Sequence, residues 1–454
     1  MMAQRLLGEV ADIVRGISFP KNAKSSEPRP GDVACLRTAN VQREVDWVDL
    51  WYVPGEHVKR EEQFIQLGDI LVSTANSYEL VGKVAPVGNL PQKATLGAFI
   101  SLIRPRLGTD PKFLYHQLAW DKTQSRIRET ASTTTNISNV STTKLGNLEL
   151  EFPELDQQRA IVAEIEKQFS RLDEAVASLK RTKANLKRYK ASVLKAAVEG
   201  KLFGQSSNGT MSIDWGSKPI SVAIDSLDQG WSPQCENEPS NRPSVWGIIK
   251  TTAVQSMRYL GAENKRLPDA LSPRPHLELA AGDLLMTRAG PRARVGVTCL
   301  VKNTRPHLML CDKVYRIRCK KDLVNPAFLE LVLNAPNIVD ELNQLKTGIS
   351  DSGVNLTQKR LNELVVPLPA LKVQKQIVAE VERRLSVIEE LEASVEANLT
   401  RADRLRQSIL SQAFSGRLLG RNARPIPDSL PPVSLAAESH ADYGKTTVQD
   451  GHHR

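Results

Sequence analysis

Only five cysteines occur in the 454 residues, Cys35, Cys235, Cys299, Cys311 and Cys319, and no two form a CxxC pair. That spacing excludes a zinc site built on paired cysteines and argues against a disulfide framework, so free thiols in a reducing cytoplasm are expected. Nothing approaches the roughly 18 consecutive apolar residues of a membrane span, and the opening MMAQRLLGEVADIVRG holds no apolar stretch long enough for a signal peptide. A soluble cytoplasmic protein with no membrane partner is the expectation.

Catalytic signatures are also missing. An enzyme acting on the adenine amino group needs an NPPY- or DPPY-like loop and a glycine-rich cofactor turn. Asp110-Pro111-Lys112-Phe113 and Asn325-Pro326-Ala327-Phe328 lack the second proline and read as helix N-termini. Gly444-Lys445-Thr446 ends like a phosphate-binding loop, but the required upstream glycine is Ser439. Glu199-Gly200-Lys201 has the ExK form of a nuclease site, yet it stands where a helix should stop. His276-Leu277-Glu278 imitates a deaminase HxE without the PCxxC that would complete a zinc site. No catalytic or metal-ligating residue is assigned, and no cofactor is expected on this chain.

What is present begins with charge. Lys and Arg number 61 against 51 Asp and Glu, a net +10, which favours an anionic partner, nucleic acid first and a membrane surface second. The more specific feature is a duplication. FPELDQQRAIVAEIE, from Phe152 to Glu166, returns 216 positions later as LPALKVQKQIVAEVE, from Leu368 to Glu382. The register holds without a gap to Gly200-Lys201-Leu202 against Gly416-Arg417-Leu418. Upstream, Asn139–Leu145 answers Asn355–Leu361 at the same offset, Asp110–Leu114 answers Asn325–Leu329 at 215, and Gly68–Leu71 answers Gly282–Leu285 at 214. Solenoid repeats have periods of roughly 20–50 residues, so this is a duplicated half-protein.

The matched segment reads as a long helix. Val162, Ile165, Phe169, Leu172, Val176, Leu179, Leu186, Val193 and Ala197 step by threes and fours, as do Val378, Val381, Leu385, Ile388, Val395, Leu399, Ala402, Ile409 and Ala413. A proline precedes each stripe (Pro153, Pro369) and a glycine closes it (Gly200, Gly416). Lys183, Lys190, Glu392 and Arg406 interrupt the seam, either fixing register or marking where the stripe drifts and long side chains snorkel. Some 45 helical residues make a rod of roughly 65–70 Å. Lys180, Arg181, Lys183, Lys187, Arg188, Lys190 and Lys195 form a basic run suited to phosphates or to an acidic subunit; a merely solvated face is the alternative.

Residues 1 to about 150 and 218 to 366 read as mixed α/β, with one helix expected near Pro111–Arg128 and another near Pro326–Leu345. Phe203–Lys218 is a polar Gly/Ser-rich linker, and the Pro, Ser, His and Asp after Leu419 suggest a disordered tail.

The layout resembles the specificity subunit of a type I restriction-modification system. The resemblance is carried by NVSTTKL and NLTQKRL before the helices, by the two repeated openings quoted above, by AAVEGKL and QAFSGRL closing them, and by LGEVADIVRG, GDIL and GDLL. It covers residues 1 to about 419. It implies an α+β fold: two pseudo-twofold-related target-recognition domains separated by two long antiparallel helices forming a coiled coil. The expected boundaries are 1–152 for the first domain, 153–202 for the first helix, 203–217 for the linker, 218–367 for the second domain, 368–419 for the second helix and 420–454 for the tail. In that family each domain reads half of an asymmetric bipartite site in double-stranded DNA, and the rod sets the unread spacer. Two adenine-N6 methyltransferase subunits and restriction subunits complete the complex, with S-adenosylmethionine, ATP and Mg2+ bound by those partners.

DNA-reading candidates follow from residue chemistry. Arg288, Arg292 and Arg294 crowd a Gly/Pro loop after the GDLL strand, and guanidinium forks suit guanine O6/N7 or phosphates. The matching loop of the first half holds Asn76, Tyr78 and Lys83, and asparagine suits adenine. Arg37-Thr38 and Lys250-Thr251 occupy matching places after another strand. A surface loop or phosphate-only contact is the plainer reading of each. A coiled-coil adaptor without sequence-specific binding is the alternative function, though it leaves two diverged basic domains unexplained.

Overall fold

The structure, a computed structural model, describes residues 3–134, 137–202, 215–235, 238–348 and 351–419. The Gly444-Lys445-Thr446 motif, the tail from 420 and most of the linker lie outside the described residues. The chain divides into two compact units, Met1–Lys180 with Glu396–Arg454, and Arg181–Val395. Each unit therefore takes one mixed α/β domain together with part of both long helices.

The same strands recur in each unit. The first has a four-stranded antiparallel sheet in the order Ala11–Arg15, Ile100–Pro105, Ile70–Ser73, Val84–Pro86; the second has Ile224–Gln229, Val314–Cys319, Leu284–Thr287, Thr298–Leu300. Ile70–Ser73 and Leu284–Thr287 are buried at every residue, as continuous apolar runs become when both faces of a sheet are covered. A three-stranded sheet accompanies each, with one parallel pair: Ala34 beside Ala94 in the first unit, Gly247 beside Leu308 in the second.

The GDIL and GDLL motifs have a shared physical basis. Gly68 and Gly282 adopt φ of 87° and 95°, the left-handed region glycine enters without penalty. The buried carboxylate that follows closes the turn. Asp69 accepts from Gln66 N–H at 2.7 Å and pairs with Arg104 at 2.7 Å. Asp283 accepts from Ala280 N–H at 2.9 Å and pairs with Arg318 at 2.9 Å.

Each domain begins and ends in one antiparallel ribbon, with Ala3 opposite Phe152 and Ser217 opposite Pro367. The single helix expected in each domain is two helices. Pro111–Ala119 and Asp121–Glu129 are broken at Trp120, and Pro326–Asn334 and Pro336–Leu345 at Ala335. Ala335 precedes Pro336, whose ring drives it into extended backbone. Trp120 is extended because its ring packs on Phe414 (5.7 Å) while Gln407 Oε1 accepts the Asp121 N–H at 2.9 Å. Asp110 and Asn325 cap their helices as expected, each side chain accepting from the first-turn N–H groups.

The repeated segments form the helices Leu155–Val198 and Leu371–Phe414, 44 residues each. At about 1.5 Å per residue each is about 66 Å long. Gly200 (φ 72°) and Gly416 (φ 73°) end them, with Lys201 N–H donating to Ala196 O and Arg417 N–H to Gln412 O, both at 2.9 Å. In the first unit Ile161, Val162 and Ile165 of one helix share a core with Ile409, Leu410, Ala413 and Phe414 of the other, and with Phe113 and Phe152 of the domain. Further along, Asp173 pairs with Arg406, so the helices run antiparallel there. In the second unit Arg384 donates to Leu202 O, and Leu385 and Ile388 are buried along the same face.

Two glutamines in the repeated openings join helix to domain. Gln158 is buried and donates to Pro153 O (2.9 Å) and Gly108 O (3.2 Å) while accepting from Asp110 N–H (2.8 Å). Gln374 donates to Pro369 O (2.8 Å) and Leu323 O (2.9 Å) and accepts from Asn325 N–H (2.8 Å).

All five cysteines are free thiols, and burial pushes Cys35, Cys299, Cys311 and Cys319 up to about 12. Among the described residues no helix is long and apolar enough to cross a membrane, and no cluster of metal-ligating side chains occurs.

Candidate nucleic-acid interface

The loops chosen from the sequence lie together within each domain. In the first, Arg37 and Thr38 follow the strand Asp32–Leu36, and Asn76, Tyr78 and Lys83 lie on the turn after Ile70–Ser73. Lys83 Nζ donates to Gln42 Oε1 at 2.6 Å and draws the two loops together. In the second, Lys250 and Thr251 follow Gly247–Ile249, and Arg288, Arg292 and Arg294 follow Leu284–Thr287. Here Arg294 makes the link: it donates to Thr251 O and Val254 O, both at 2.7 Å, and to Gln255 Oε1 at 3.0 Å.

That geometry assigns Arg294 a structural part. Three of its N–H groups are spent on acceptors inside the domain, and its side chain is half-buried. Arg37 is partly occupied as well, pairing with Asp49 and lying 5.3 Å from the Trp51 ring, over which Lys24 Nζ also sits at 3.9 Å. Lys250 lies 3.8 Å from Glu263. Arg288 ties Nε to Asp312 O at 2.7 Å, and exposed Arg292 ties Nε to Asp351 at 2.9 Å. Among the described residues those are the only side-chain hydrogen bonds of either guanidinium, so their terminal amino groups retain donors for an incoming anion or base edge. Asn76 is turned inward, donating to Ser73 Oγ and accepting from Ser77 N–H, whereas Tyr78 is exposed.

The basic run on the first long helix is mostly solvated. Lys180, Arg181, Lys183, Lys187, Arg188 and Lys195 are exposed and Lys190 is half-buried. Of the four seam interruptions, Lys183 lies outside the seam, while Arg406 is buried within it, 4.7 Å over the Phe169 ring. By helical period alone these four look alike. The repeat offset could have separated them, because Arg406 and Lys190 are counterparts 216 positions apart, as are their candidate partners Asp173 and Glu389.

The remaining enzyme-like motifs are structural. Glu199-Gly200-Lys201 is the end of a helix, and His276-Leu277-Glu278 lies in and after a single 3-10 turn where Glu278 accepts the His307 N–H at 2.6 Å.

Comparison with known proteins agrees with this layout. The family described as type I restriction modification DNA specificity domain matches residues 2–188. The EcoKI specificity subunit of Escherichia coli strain K12 is 27% identical over 438 residues, covering 94% of this chain and 91% of that protein. The EcoEI specificity subunit of Escherichia coli is 39% identical over 185 residues, 41% of this chain, a match spanning 31% of the relative's length. Among solved structures, a chain from work on assembly and conformational transition of a type I R-M system superposes with a TM-score of 0.65. It is 18% identical over 92% of this chain and 98% of that one, a likeness of fold alone.

Proposed function

We propose that this chain is a type I restriction-modification specificity subunit, the non-catalytic DNA-reading member of a modification and restriction complex. Each mixed α/β domain reads one half of an asymmetric bipartite site in double-stranded DNA. The observation that carries this reading is the duplicated frame with unlike loops. Two domains with the same strands and the same buried Asp–Arg pairs present Asn76, Tyr78 and Lys83 in one case and Arg288 and Arg292 in the other. One frame with two loop chemistries suits two different half-sites. An adaptor without DNA contact would give no reason for that divergence.

The long helices supply the rest of the function. Their fixed length favours a constant number of unread base pairs between the half-sites, and their exposed faces, including the basic run from Lys180 to Lys195, suit docking of two adenine-N6 methyltransferase subunits. Those partners would bind S-adenosylmethionine and flip the target adenine; restriction subunits would use ATP and Mg2+. The complex would work in the cytoplasm, where the DNA is.

The test is single-molecule sequencing for N6-methyladenine in cells expressing the chain with its neighbouring methyltransferase, against cells lacking the chain. A bipartite asymmetric motif that disappears without the chain is the expected result. Unchanged methylation, with an active methyltransferase present, would contradict the proposal.

A further inference from the structure

The duplicated frame allows the two recognition faces to be compared position by position. In the first domain Thr74 N–H donates to Phe99 O and Val140 N–H donates to Thr74 O, both at 2.9 Å. In the second, Arg288 N–H donates to Lys313 O at 2.9 Å and Leu356 N–H to Arg288 O at 2.8 Å. The short ribbons agree as well: Asn76 stands opposite Ser138, and Gly290 opposite Val354. Between these anchors and the glycines that end the loops, Gly82 and Gly296, both at φ 85°, the two chains have equal length. Tyr78 is therefore the counterpart of Arg292, Phe99 of Lys313 and Ile137 of Gly353.

The counterparts differ in kind. Tyr78, Leu80, Phe99 and Ile137 are 50, 46, 61 and 46% exposed, four large apolar side chains around one small ribbon. Clustered exposed apolar groups, unlike scattered ones, mark a binding surface. The corresponding positions in the second domain hold Arg292, Arg294, Lys313 and Gly353, with Arg288 where the first domain has the buried Thr74. A cationic face fits DNA by charge, and the first domain holds its apolar face at the same place in the same frame. The occupant that accounts for both is one duplex, met by different chemistry at its two half-sites.

We propose that the first domain selects its half-site by apolar contact, with Phe99 against thymine C5-methyl groups, whereas the second uses the guanidinium and ammonium groups of Arg288, Arg292 and Lys313 on guanine edges and phosphates. This rests on the DNA-reading function proposed above. If adenine is methylated in each half-site, each also contains a thymine, so the methyl group is available to be read. Burying one methyl group corresponds to about a fourfold change in affinity. Cation–phosphate contacts instead steepen the salt dependence of binding by about 0.9 logarithmic units per contact.

The experiment uses the full chain assembled with its methyltransferase subunits and duplexes carrying the methylated motif, with a scrambled duplex as reference. Thymines are replaced by deoxyuridine, which removes only the methyl, in one half-site at a time, and affinity is measured across a salt series. Deoxyuridine in one half-site should weaken binding about fourfold per contacted methyl, and Phe99→Ala should abolish that penalty with an unchanged salt slope. Phe99→Lys, which installs the residue found at the second domain's counterpart, should abolish the penalty and steepen the slope by about one unit. Arg292→Ala should flatten the slope and leave the deoxyuridine penalty intact. Cognate preference with no deoxyuridine penalty in either half-site overturns this inference alone, as does a penalty that persists in both folded Phe99 variants. Loss of preference for the motif over the scrambled duplex in the unaltered complex overturns the DNA-reading function itself.

Discussion

Gln158 and Gln374, 216 residues apart, hold the same three hydrogen bonds: one to a carbonyl five residues back on their own segment, one to a carbonyl in the adjoining domain, and one from the N–H of a helix-capping residue. A primary amide is the side chain that can donate twice and accept once at this place. Replacing Gln158 by leucine leaves the Asp110 N–H and two carbonyls buried without partners. A loss of about 2–4 kcal/mol is expected, from a desolvation penalty of about 1–3 kcal/mol per orphaned group partly relieved by water. Chemical denaturation of Gln158→Leu and Gln374→Leu checks it, and the two should cost similar amounts.

The Asp69–Arg104 pair should be worth more to stability than its visible charge contact. Asp69 is 2% exposed and also closes the turn at Gly68 through the Gln66 N–H. Asp69→Ala strands Arg104 and an N–H together and should cost about 3–5 kcal/mol, the range for breaking a buried pair from one side. Asp69→Asn keeps the acceptor for the N–H and should cost visibly less. Thermal denaturation of the two variants decides this, and equal losses would contradict it.

His116 makes the first domain sensitive to acid. Burial, opposed by nearby Glu166, lowers its pKa to about 4. The unfolded chain takes up the proton near pH 6.5 and the folded chain resists it, so stability falls as pH drops through that interval. Lowering the pKa from 6.5 to about 4 corresponds to about 3 kcal/mol, reached below pH 4. The duplicate position holds Leu331. His116→Leu should therefore flatten the pH dependence of the first unit's melting temperature between pH 6.5 and 4, while leaving stability at pH 8 nearly unchanged.

Arg406 sits in the helix seam with Asp173 as partner and Phe169 beneath it, and among the described residues its Nε has no acceptor. Arg406 is buried but Asp173 is more than half exposed, and such a partly solvated pair with an unsatisfied donor gains little over a well-packed apolar side chain. Arg406→Met should change stability by less than about 1 kcal/mol, whereas Asp173→Ala, which leaves the guanidinium buried alone, should cost about 2–3 kcal/mol. Denaturant midpoints of the two variants separate these outcomes.

Much of this architecture was legible from local pattern. The two helices, their glycine stops and the Asp110 and Asn325 caps all rest on residues within a few positions of one another, and the duplication rests on a near-constant offset. The single helix expected over Pro326–Leu345 overlooked a local signal for the break at Ala335, since Pro336 follows it. The break at Trp120 was not legible, because what holds that residue extended is Phe414 and Gln407, nearly three hundred residues away. The hydrogen bonds of Arg294 were not legible for the same reason: its acceptors, Thr251 O and Val254 O, come from a distant loop and leave no mark in the sequence around it. The exposed Phe99 carried a faint signal, an aromatic where the duplicate has lysine, visible only after the two halves are aligned strand by strand.

Because Ala3 lies opposite Phe152 and Ser217 opposite Pro367, each domain leaves the chain where it entered. A segment whose two ends stand side by side can be exchanged for another of different length and loop content without pulling on what flanks it. Under the DNA-reading function proposed above, inheritance would then work by combination: a repertoire of first domains and a repertoire of second domains would multiply, and one recombination event would change one half-site where point changes would accumulate slowly.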